Sequence, residues 1–360
     1  IELFAMARPH LPAHRVVGIT GTNGKSTTTA LTHHILQAAG VPSVMGGNIG
    51  EPILAQDPLP DGGVYVLELS SFQIDLTFTL DCDVAALTNI TPDHLDRYAD
   101  FAAYAASKER LFQMQAAGTA LICDEDEPTR AIAARLATAC KPLVRVRTAD
   151  LDTAGLSGGR SPSLAGPHNA QNAAVAVAIC RQLGLTDAQI ARGLATYPGL
   201  PHRMERVCEA DGVAYINDSK ATNTASAAPA LAAFPPEPAI NSGAPRIHWI
   251  CGGLPKEDGL GACTAHLGNV AAAYTVGEAG PRFAELLEAA GVRVERCELI
   301  GEAVRRAREA ARPGDVVLLS PACASYDQFR DYEKRGHHFR QMVGAMTGCD
   351  TCGEGRSILP

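Results

Sequence analysis

The sequence has no uninterrupted apolar run close to the roughly 20 residues that a membrane-crossing helix needs, and its N-terminus shows no signal-peptide pattern. It also has no Lys/Arg-rich run, and its net charge is −8 at pH 7. This charge balance argues against nucleic acid or an anionic membrane as the main partner. These absences together predict a cytoplasmic protein.

A disulfide framework is missing as well, although the chain contains 11 cysteines. Cys180, Cys251 and Cys323 lie in apolar runs, which is typical of reduced, buried thiols in a large intracellular enzyme. Cys349 and Cys352 form a lone C-x-x-C that lacks the second half of a zinc site. The sequence therefore does not favour a metal role for this pair.

The glycine-rich stretch RVVGITGTNGKSTTTAL lies between a short apolar run and a helical pattern. Gly21 and Gly24 would let the backbone curl with its N–H groups inward, at the positive end of the following helix. Lys25 would add charge for the β- and γ-phosphates of a nucleotide, and Ser26 or Thr27 a hydroxyl for Mg²⁺. One glycine of the general pattern is replaced by isoleucine, so this is a shortened variant. A merely structural turn is the alternative.

Acidic and basic side chains follow the next two apolar runs. Glu68 ends one run, whereas Asp93 and His94 follow the other. A buried glutamate needs a basic partner or a metal, and we favour Mg²⁺ because oxygen ligands beside a phosphate loop suit that cation. His94 is either a second ligand or an ordinary surface histidine. Lys108 lies in an amphipathic helical pattern, where periodicity alone predicts a solvated charge.

The alternation of apolar runs with helical segments predicts an α/β fold with a largely parallel sheet. A chain of 360 residues exceeds what one core serves, so we expect two domains with a boundary at the breaker cluster 197–201. The predicted order is a central P-loop ATPase-like domain, then a Rossmann-like α/β domain. Asn169 and Asn172 start an alanine-rich helical run, where either could simply cap the helix.

A series of separated motifs resembles the Mur ligases, the ATP-dependent family that adds amino acids to the cell-wall precursor. The motifs are GTNGKST, GGNIG, LELSSFQ, NITPDHLDRY, SKERLF, GPHNAQN, GLPHRMERV, INDSKATN, GG-x-x-K and SPACASYDQF. INDSKATN and SPACASYDQF resemble the branch that joins D-glutamate to UDP-N-acetylmuramoyl-L-alanine. The resemblance runs from about Ile1 to Met346. Family members have three domains, and we expect that the first, which holds UDP, is missing here.

The resemblance implies a site for ATP and two Mg²⁺ ions. Lys25, Ser26 and Thr27 would hold the phosphates and the first Mg²⁺, with Glu68 as a further ligand. His94 and a carbamylated Lys108 would hold the second ion, because carbamylation turns the amine into a carboxylate. The implied catalytic residues are Lys25, Glu68, His94 and Lys108, with Ser26 as a metal ligand. The implied ATP-binding residues are Gly21, Thr22, Asn23, Gly24, Lys25, Ser26, Thr27, Asn169, Asn172, Arg203 and Asp218.

The resemblance also implies a substrate site. Its residues would be Asn48, Ser70, His202, Lys220, Thr222, Lys256, Ser325, Tyr326 and Tyr332. Ammonium and hydroxyl donors such as Lys256 and Ser325 suit a carboxylate-rich substrate. Two departures from the family pattern occur: the aspartate that often precedes this lysine is absent, and Tyr332 replaces a phenylalanine.

The implied partners are small molecules: ATP, UDP-N-acetylmuramoyl-L-alanine and D-glutamate, with a monomeric protein. The implied chemistry is an acyl phosphate attacked by the D-glutamate amine, which needs no nucleophilic serine or cysteine. The segments would be a linker or remnant (1–14), a central ATP-binding domain (15–199), a C-terminal amino-acid-binding domain (200–346) and a disordered tail (347–360). The alternatives are another Mur or folylpolyglutamate-type amide ligase, or a nucleotide-binding module that is inactive without a UDP-binding domain.

Overall fold

The computed structural model describes residues 1–95, 97–153, 156, 161–164 and 167–349. Most of the Gly/Ser-rich stretch near 155–163, and the predicted tail from 350 onward with Cys352, lie outside the described residues. The described residues form two compact units, Ile1–Pro198 and the part from Gly199 onward. Each unit contains a six-stranded sheet of its own.

The sheet of the first unit is entirely parallel. Its strands are β1 (His14–Thr20), β2 (Ser43–Gly47), β3 (Gly63–Glu68), β4 (Val84–Leu87), β5 (Thr119–Cys123) and β6 (Leu143–Val146). They lie in the order β2-β3-β1-β4-β5-β6, and each neighbouring pair is parallel. Val16, Val17 and Ile19 of the central strand are fully buried, as expected for a strand covered on both faces. All carboxyl ends therefore meet at one edge of this sheet.

The helices of the first unit cover the faces of the sheet. They are α1 (Glu2–Ala7), α2 (Lys25–Ala38), α3 (Ser71–Asp75), α4 (Phe101–Gln113), α5 (Glu127–Thr138), α6 (Asp150–Thr153), α7 (Pro167–Gln182) and α8 (Asp187–Thr196). Helix α2 packs against α7 and α8. Asn172, near the start of α7, lies against Gly24, which precedes α2.

Helix α1 lies in the segment 1–14, which the sequence predicts to be a linker or remnant. The Phe4 side chain is buried, and its ring lies 4.9 Å from the ring of Tyr65 on β3. The Glu2 carboxylate accepts hydrogen bonds from the backbone N–H groups of Phe78 and Thr79. This segment is thus part of the first unit, because a buried aromatic ring and a carboxylate bound to two N–H groups fix it there.

The sheet of the second unit is parallel apart from one edge strand. Its strands are β7 (Glu205–Ala210), β8 (Val213–Asn217), β9 (Ile247–Gly252), β10 (Val270–Val276), β11 (Val294–Glu298) and β12 (Val316–Leu319). They lie in the order β11-β10-β9-β12-β8-β7, and only the β7–β8 pair is antiparallel. The helices are α9 (Thr224–Ala232), α10 (Gly280–Ala289), α11 (Ile300–Ala310) and α12 (Tyr332–Thr347).

The predicted α/β fold class, a mostly parallel sheet followed by a Rossmann-like unit, is confirmed. The two outer strands of the second sheet, β7 and β11, have no clear strand pattern in the sequence. Edge strands are half-exposed, so their apolar pattern is weak. Within the described ranges, we find no helix with the length and apolar character that crossing a membrane requires.

Candidate active site

The glycine-rich loop forms a tight turn between β1 and α2. Gly24 precedes the first residue of α2 with φ at +80°, a left-handed conformation that glycine adopts without strain. A β-carbon at this position would collide with Oδ1 of Asn172 on α7. The backbone N–H groups at the start of α2 carry the positive end of the helix dipole. The turn thus has the geometry of an anion-binding loop.

We expect Gly24→Ala to weaken nucleotide binding by about tenfold and to destabilise the first unit by about 1–2 kcal/mol. The methyl group must displace Asn172, and alanine does not favour a φ of +80°. Titration with a fluorescent ATP analogue and thermal unfolding measure the two effects. Gly184→Ala is the matched control, since that glycine also has positive φ but open space around its β-carbon position. Gly184→Ala is expected to cost stability without weakening ATP binding, and equal affinities for both variants would contradict the prediction.

The loop is held from the neighbouring strand by Thr88 and Asn89, which follow β4. The Asn23 N–H donates to Asn89 Oδ1 at 2.8 Å, and the Thr22 N–H donates to the Asn89 carbonyl oxygen at 2.8 Å. The Thr88 hydroxyl donates to the Asn23 carbonyl oxygen at 2.7 Å. These contacts fix the loop shape before any ligand arrives, which lowers the cost of ordering it on binding.

Two lysines converge on the carbonyl oxygen of Gly21. Lys25 Nζ lies 3.1 Å from this oxygen and Lys108 Nζ lies 2.8 Å from it. Lys108 is 1% exposed, so it is not the solvated charge that helical periodicity predicts. Burial, and to a smaller extent the positive charge of Lys25, lower the pKa of Lys108 to about 7. Near neutral pH a large fraction of Lys108 is therefore an uncharged amine, which is a nucleophile.

Glu68 lies at the carboxyl end of β3, in register with Ile19 of β1. It is 2% exposed. Asn48 Nδ2 donates to Glu68 Oε1 at 3.0 Å, whereas Oε2 is buried and has no hydrogen-bond partner among the described residues. An orphaned, buried carboxylate oxygen is costly unless a cation compensates it. The donor set therefore fits a hard cation such as Mg²⁺.

His94 and Lys108 share an aromatic neighbour. The His94 ring lies 6.1 Å from the Tyr104 ring, and Lys108 Nζ lies 4.6 Å from the same ring. The Tyr104 hydroxyl is 3.1 Å from the Thr22 hydroxyl, so this tyrosine connects the glycine loop to both residues. His94 has φ at +53°, and its Nε2 lies 3.5 Å from an Asp93 carboxylate oxygen.

Within the described part of the chain, no three His, Cys, Asp or Glu side chains gather as a metal cluster. The candidate donors predicted from the sequence, Ser26, Glu68, His94 and Lys108, are of mixed type, so such a cluster is not required. Ser70 has a local role: its side chain caps α3 in a reciprocal capping box with Gln73.

Asn169 and Asn172 are the third and sixth residues of α7, so neither occupies a simple capping position. Asn172 Nδ2 donates to Asn169 Oδ1 at 3.2 Å, and the Asn169 amide donates to the Ser163 carbonyl oxygen at 3.2 Å. Because Asn172 lies against Gly24, the pair flanks the glycine loop.

Asp218 follows β8 in the second unit and is buried. Its carboxylate accepts hydrogen bonds from the Ser320 hydroxyl at 2.8 Å and from the Met204 N–H at 3.2 Å. Burial raises the pKa of Asp218 to about 7, although the hydrogen bonds from Ser320 and Met204 and the charge of Arg203 oppose this shift. His202 is also buried beside Asn217, at 2.9 Å, and burial lowers its pKa to about 4. This histidine is neutral at pH 7 and packs inside the unit.

The remaining substrate-site candidates follow three neighbouring strands, β8, β9 and β12. Lys220 Nζ lies 3.7 Å from the centre of the Tyr332 ring, and Lys256 Nζ donates to the Thr222 hydroxyl at 3.3 Å. Ser325 is buried, whereas Tyr326 is 71% exposed. The structure thus brings lysines from two loops to the carboxyl edge of the second sheet.

The family comparison matches both units. The Mur ligase middle domain matches residues 19–180, and the Mur ligase glutamate ligase domain matches residues 202–323. The UDP-N-acetylmuramoylalanine–D-glutamate ligase of Novosphingobium aromaticivorans is 61% identical over 348 residues, which cover 96% of this chain and 75% of that protein. The chain belongs to the Mur ligase family. The protein of the same name from Sphingopyxis alaskensis is 58% identical, over 96% of this chain and 77% of its own length.

Solved structures share the fold of this Mur ligase at low sequence identity. The UDP-N-acetylmuramoylalanyl-D-glutamyl-2,6-diaminopimelate–D-alanyl-D-alanyl ligase of Acinetobacter baumannii has a TM-score of 0.67 and is 17% identical, covering 94% of this chain and 78% of that chain. The bifunctional folylpolyglutamate synthase/dihydrofolate synthase of Yersinia pestis, complexed with AMPPNP and a Mn ion, has a TM-score of 0.66 and is 20% identical, covering 96% and 92%. The predicted family resemblance is confirmed, and these likenesses show the fold.

Sequence reasoning missed Thr88, Asn89 and Tyr104, which contact the glycine loop of the first unit, and it also missed the buried Arg335 of the second unit. Thr88 and Asn89 hold the loop, and Tyr104 lies beneath Lys108. Asn89 stands in the motif NITPDHLDRY, so its position directly after an apolar run was the available signal. Arg335 on α12 is 2% exposed, and nothing in the helical pattern distinguishes it from a surface arginine.

Proposed function

We propose that this chain joins D-glutamate to UDP-N-acetylmuramoyl-L-alanine with ATP, releasing ADP and phosphate. The observation that carries the proposal is the buried Glu68 carboxylate, whose Oε2 has no partner among the described residues, beside a glycine loop on which Lys25 and Lys108 converge. Relatives of the same name, at 61% and 58% identity, support the choice of D-glutamate over the amino acids of other Mur ligases. They favour it over the folylpolyglutamate-type alternative as well, whose solved member is 20% identical.

In this proposal the first unit binds ATP. The N–H groups of the glycine loop hold the phosphates, Lys25 contacts the transferring phosphoryl group, and Asn169 and Asn172 contact the adenine side. Ser26 and Glu68 would hold one Mg²⁺, and His94 with a carbamylated Lys108 would hold another. The ions, when bound, would neutralise charge on the phosphoryl group.

The second unit would bind the amino acid. Lys220 follows β8 and Lys256 follows β9, the strands on either side of β12, and each ammonium group lies beside a hydroxyl-bearing side chain. Ammonium groups of this kind satisfy carboxylate oxygens. Thr222, Ser325, Tyr326 and Tyr332 would complete the pocket, while Arg203 and Asp218 would contact the nucleotide. Asn48, Ser70 and His202 remain candidates for the other substrate contacts.

In the proposed sequence the muramoyl-peptide carboxylate attacks the γ-phosphate, and the D-glutamate amine then attacks the acyl phosphate. The residues of this chain hold the reacting groups and stabilise charge; none of them forms a covalent bond with substrate. The predicted segments 1–14, 15–199, 200–346 and 347–360, the monomeric state and the cytoplasmic location complete the proposal.

The test is phosphate release from ATP by the chain, with each substrate omitted in turn. We expect release to require both UDP-N-acetylmuramoyl-L-alanine and D-glutamate, with L-glutamate at the same concentration as the matched control. Product formation is followed by mass spectrometry. Phosphate release that is independent of both substrates would instead indicate a simple ATPase and refute the proposal.

A further inference from the structure

Arg335 lies on the first turn of α12 and is almost completely buried in the second unit. Its guanidinium donates four hydrogen bonds, none of them to a carboxylate. Nε donates to the Ser219 hydroxyl at 3.0 Å, and Nη2 donates to the Ser219 carbonyl oxygen at 2.8 Å. Nη1 donates to the carbonyl oxygens of Cys323 and Ala324, each at 3.0 Å.

The charge of Arg335 has no direct counter-ion in the described part of the second unit. Cys323 and the Asp327 carboxylate act to raise the pKa of Arg335, but one oxygen of that carboxylate accepts the Glu278 N–H at 3.0 Å. Burial lowers the pKa of Arg335 to about 10, so the guanidinium stays charged near neutral pH. A buried charge without a counter-ion is costly, and packing alone does not require one. The arrangement fits a site that an anion enters.

Two of the three residues that accept hydrogen bonds from Arg335 directly precede a candidate substrate residue. Ser219 precedes Lys220, and Ala324 precedes Ser325. Ala324 also exchanges two backbone hydrogen bonds with Leu254, at 3.0 and 2.9 Å, and Leu254 lies two residues before Lys256.

One side chain therefore fixes the relative positions of the loops that follow β8, β9 and β12. Ser219 strengthens the connection, because its hydroxyl also donates to the Tyr332 carbonyl oxygen at 2.8 Å.

We propose that Arg335 is a positioning residue for the amino-acid pocket, where it aligns the loops of Lys220, Lys256 and Ser325 and adds uncompensated positive charge beneath a dicarboxylate substrate. The inference rests on the proposed function, since it takes D-glutamate as the occupant. Two carboxylates on the substrate would supply the negative charge that the second unit does not provide for Arg335. The guanidinium itself is saturated by backbone and hydroxyl acceptors, so it acts through the loops and through its field.

The experiment compares Arg335→Met with Lys334→Met in the full chain. Each variant loses one positive charge from neighbouring positions of the same helix, but Lys334 is exposed. We expect Arg335→Met to raise KM for D-glutamate by about tenfold or more. KM for ATP should change by less than about twofold, and Lys334→Met should change neither constant. Arg335→Lys should fall between wild type and Arg335→Met, because it keeps the charge but not the fork of donors.

Folding of the variants is followed through Trp249, the single tryptophan, which is buried in the second unit. If Arg335→Met does not fold, Arg335→Lys and Ser219→Ala test the positioning role instead. Both variants are expected to raise KM for D-glutamate while Trp249 fluorescence stays normal. Unchanged KM for D-glutamate in the folded variants, or equal losses for D-glutamate and ATP, would overturn the inference. Wild-type phosphate release without any need for D-glutamate would instead reject the proposed function.

Discussion

Lys108→Ala is expected to reduce ATP-dependent ligation by about 100-fold or more. In the structure this lysine is buried, contacts the glycine loop through the Gly21 carbonyl oxygen at 2.8 Å, and has a pKa near 7. If Lys108 is carbamylated, it supplies a carboxylate to the proposed second Mg²⁺ site. Alanine removes that carboxylate and leaves space where it stood.

Short-chain carboxylates should partly restore the activity of Lys108→Ala, because acetate or formate can occupy that space and offer the missing oxygens. The matched control is Lys141→Ala. Lys141 is less deeply buried than Lys108, but it too donates to a backbone carbonyl oxygen, that of Gln115, which is not part of the glycine loop. The control should keep wild-type turnover with no response to acetate. Full activity in Lys108→Ala would mean that this lysine only stabilises the loop.

Carbamylation of Lys108 would depend on pH, because the pKa of its amine is lowered. A carbamate forms from the neutral amine and CO₂, and the neutral fraction increases as pH rises through about 7. Carbon-13 NMR with labelled bicarbonate should show a carbamate signal that is weak at pH 6, strong at pH 8 and absent from Lys108→Ala. An ordinary exposed lysine would remain charged over this range.

The sequence was most informative where function depends on neighbouring residues. The strand, the glycine turn and the start of α2 are contiguous, so their pattern predicts a phosphate loop from local rules alone. Glu68 was recognisable for the same reason, because a carboxylate directly after a buried apolar run stands at the functional edge of a parallel sheet.

Contacts between residues that are distant in sequence could not be predicted from such local patterns. Lys108 reaches Gly21 across 87 positions and Arg335 reaches Ser219 across 116, and both contacts depend on strand order. Helical periodicity describes one helix and predicts a solvated charge at either position. The short helix α1 was not predicted for another reason. It has six residues and is followed by prolines, so its helical pattern was too brief to distinguish from a linker.

Glu68→Gln is expected to reduce Mg²⁺-dependent turnover by about 100-fold or more. The same change should make the metal-free protein slightly more stable. The amide keeps an oxygen that can accept the Asn48 hydrogen bond, and it removes the negative charge whose Oε2 has no partner among the described residues. Replacing an uncompensated buried charge by a neutral group should raise the free energy of unfolding of the metal-free protein by about 1 kcal/mol. A purely structural glutamate would give the opposite sign, because its loss would lower stability.

Calorimetric unfolding with and without Mg²⁺ and ADP measures both effects. Wild type should gain stability when the ligands are added, because they bind the folded state, and Glu68→Gln should lose most of the gain that Mg²⁺ adds. Asp124→Asn is the matched control: this carboxylate follows β5, is buried, and also has one oxygen without a partner in the described ranges. Asp124 differs in that its other oxygen pairs with Arg145 and Arg147 at 3.4 and 3.0 Å. Replacement of Asp124 should lower stability modestly and leave the stabilisation by Mg²⁺ unchanged. If Mg²⁺ stabilises wild type, Glu68→Gln and Asp124→Asn equally, Glu68 is not a ligand of the metal.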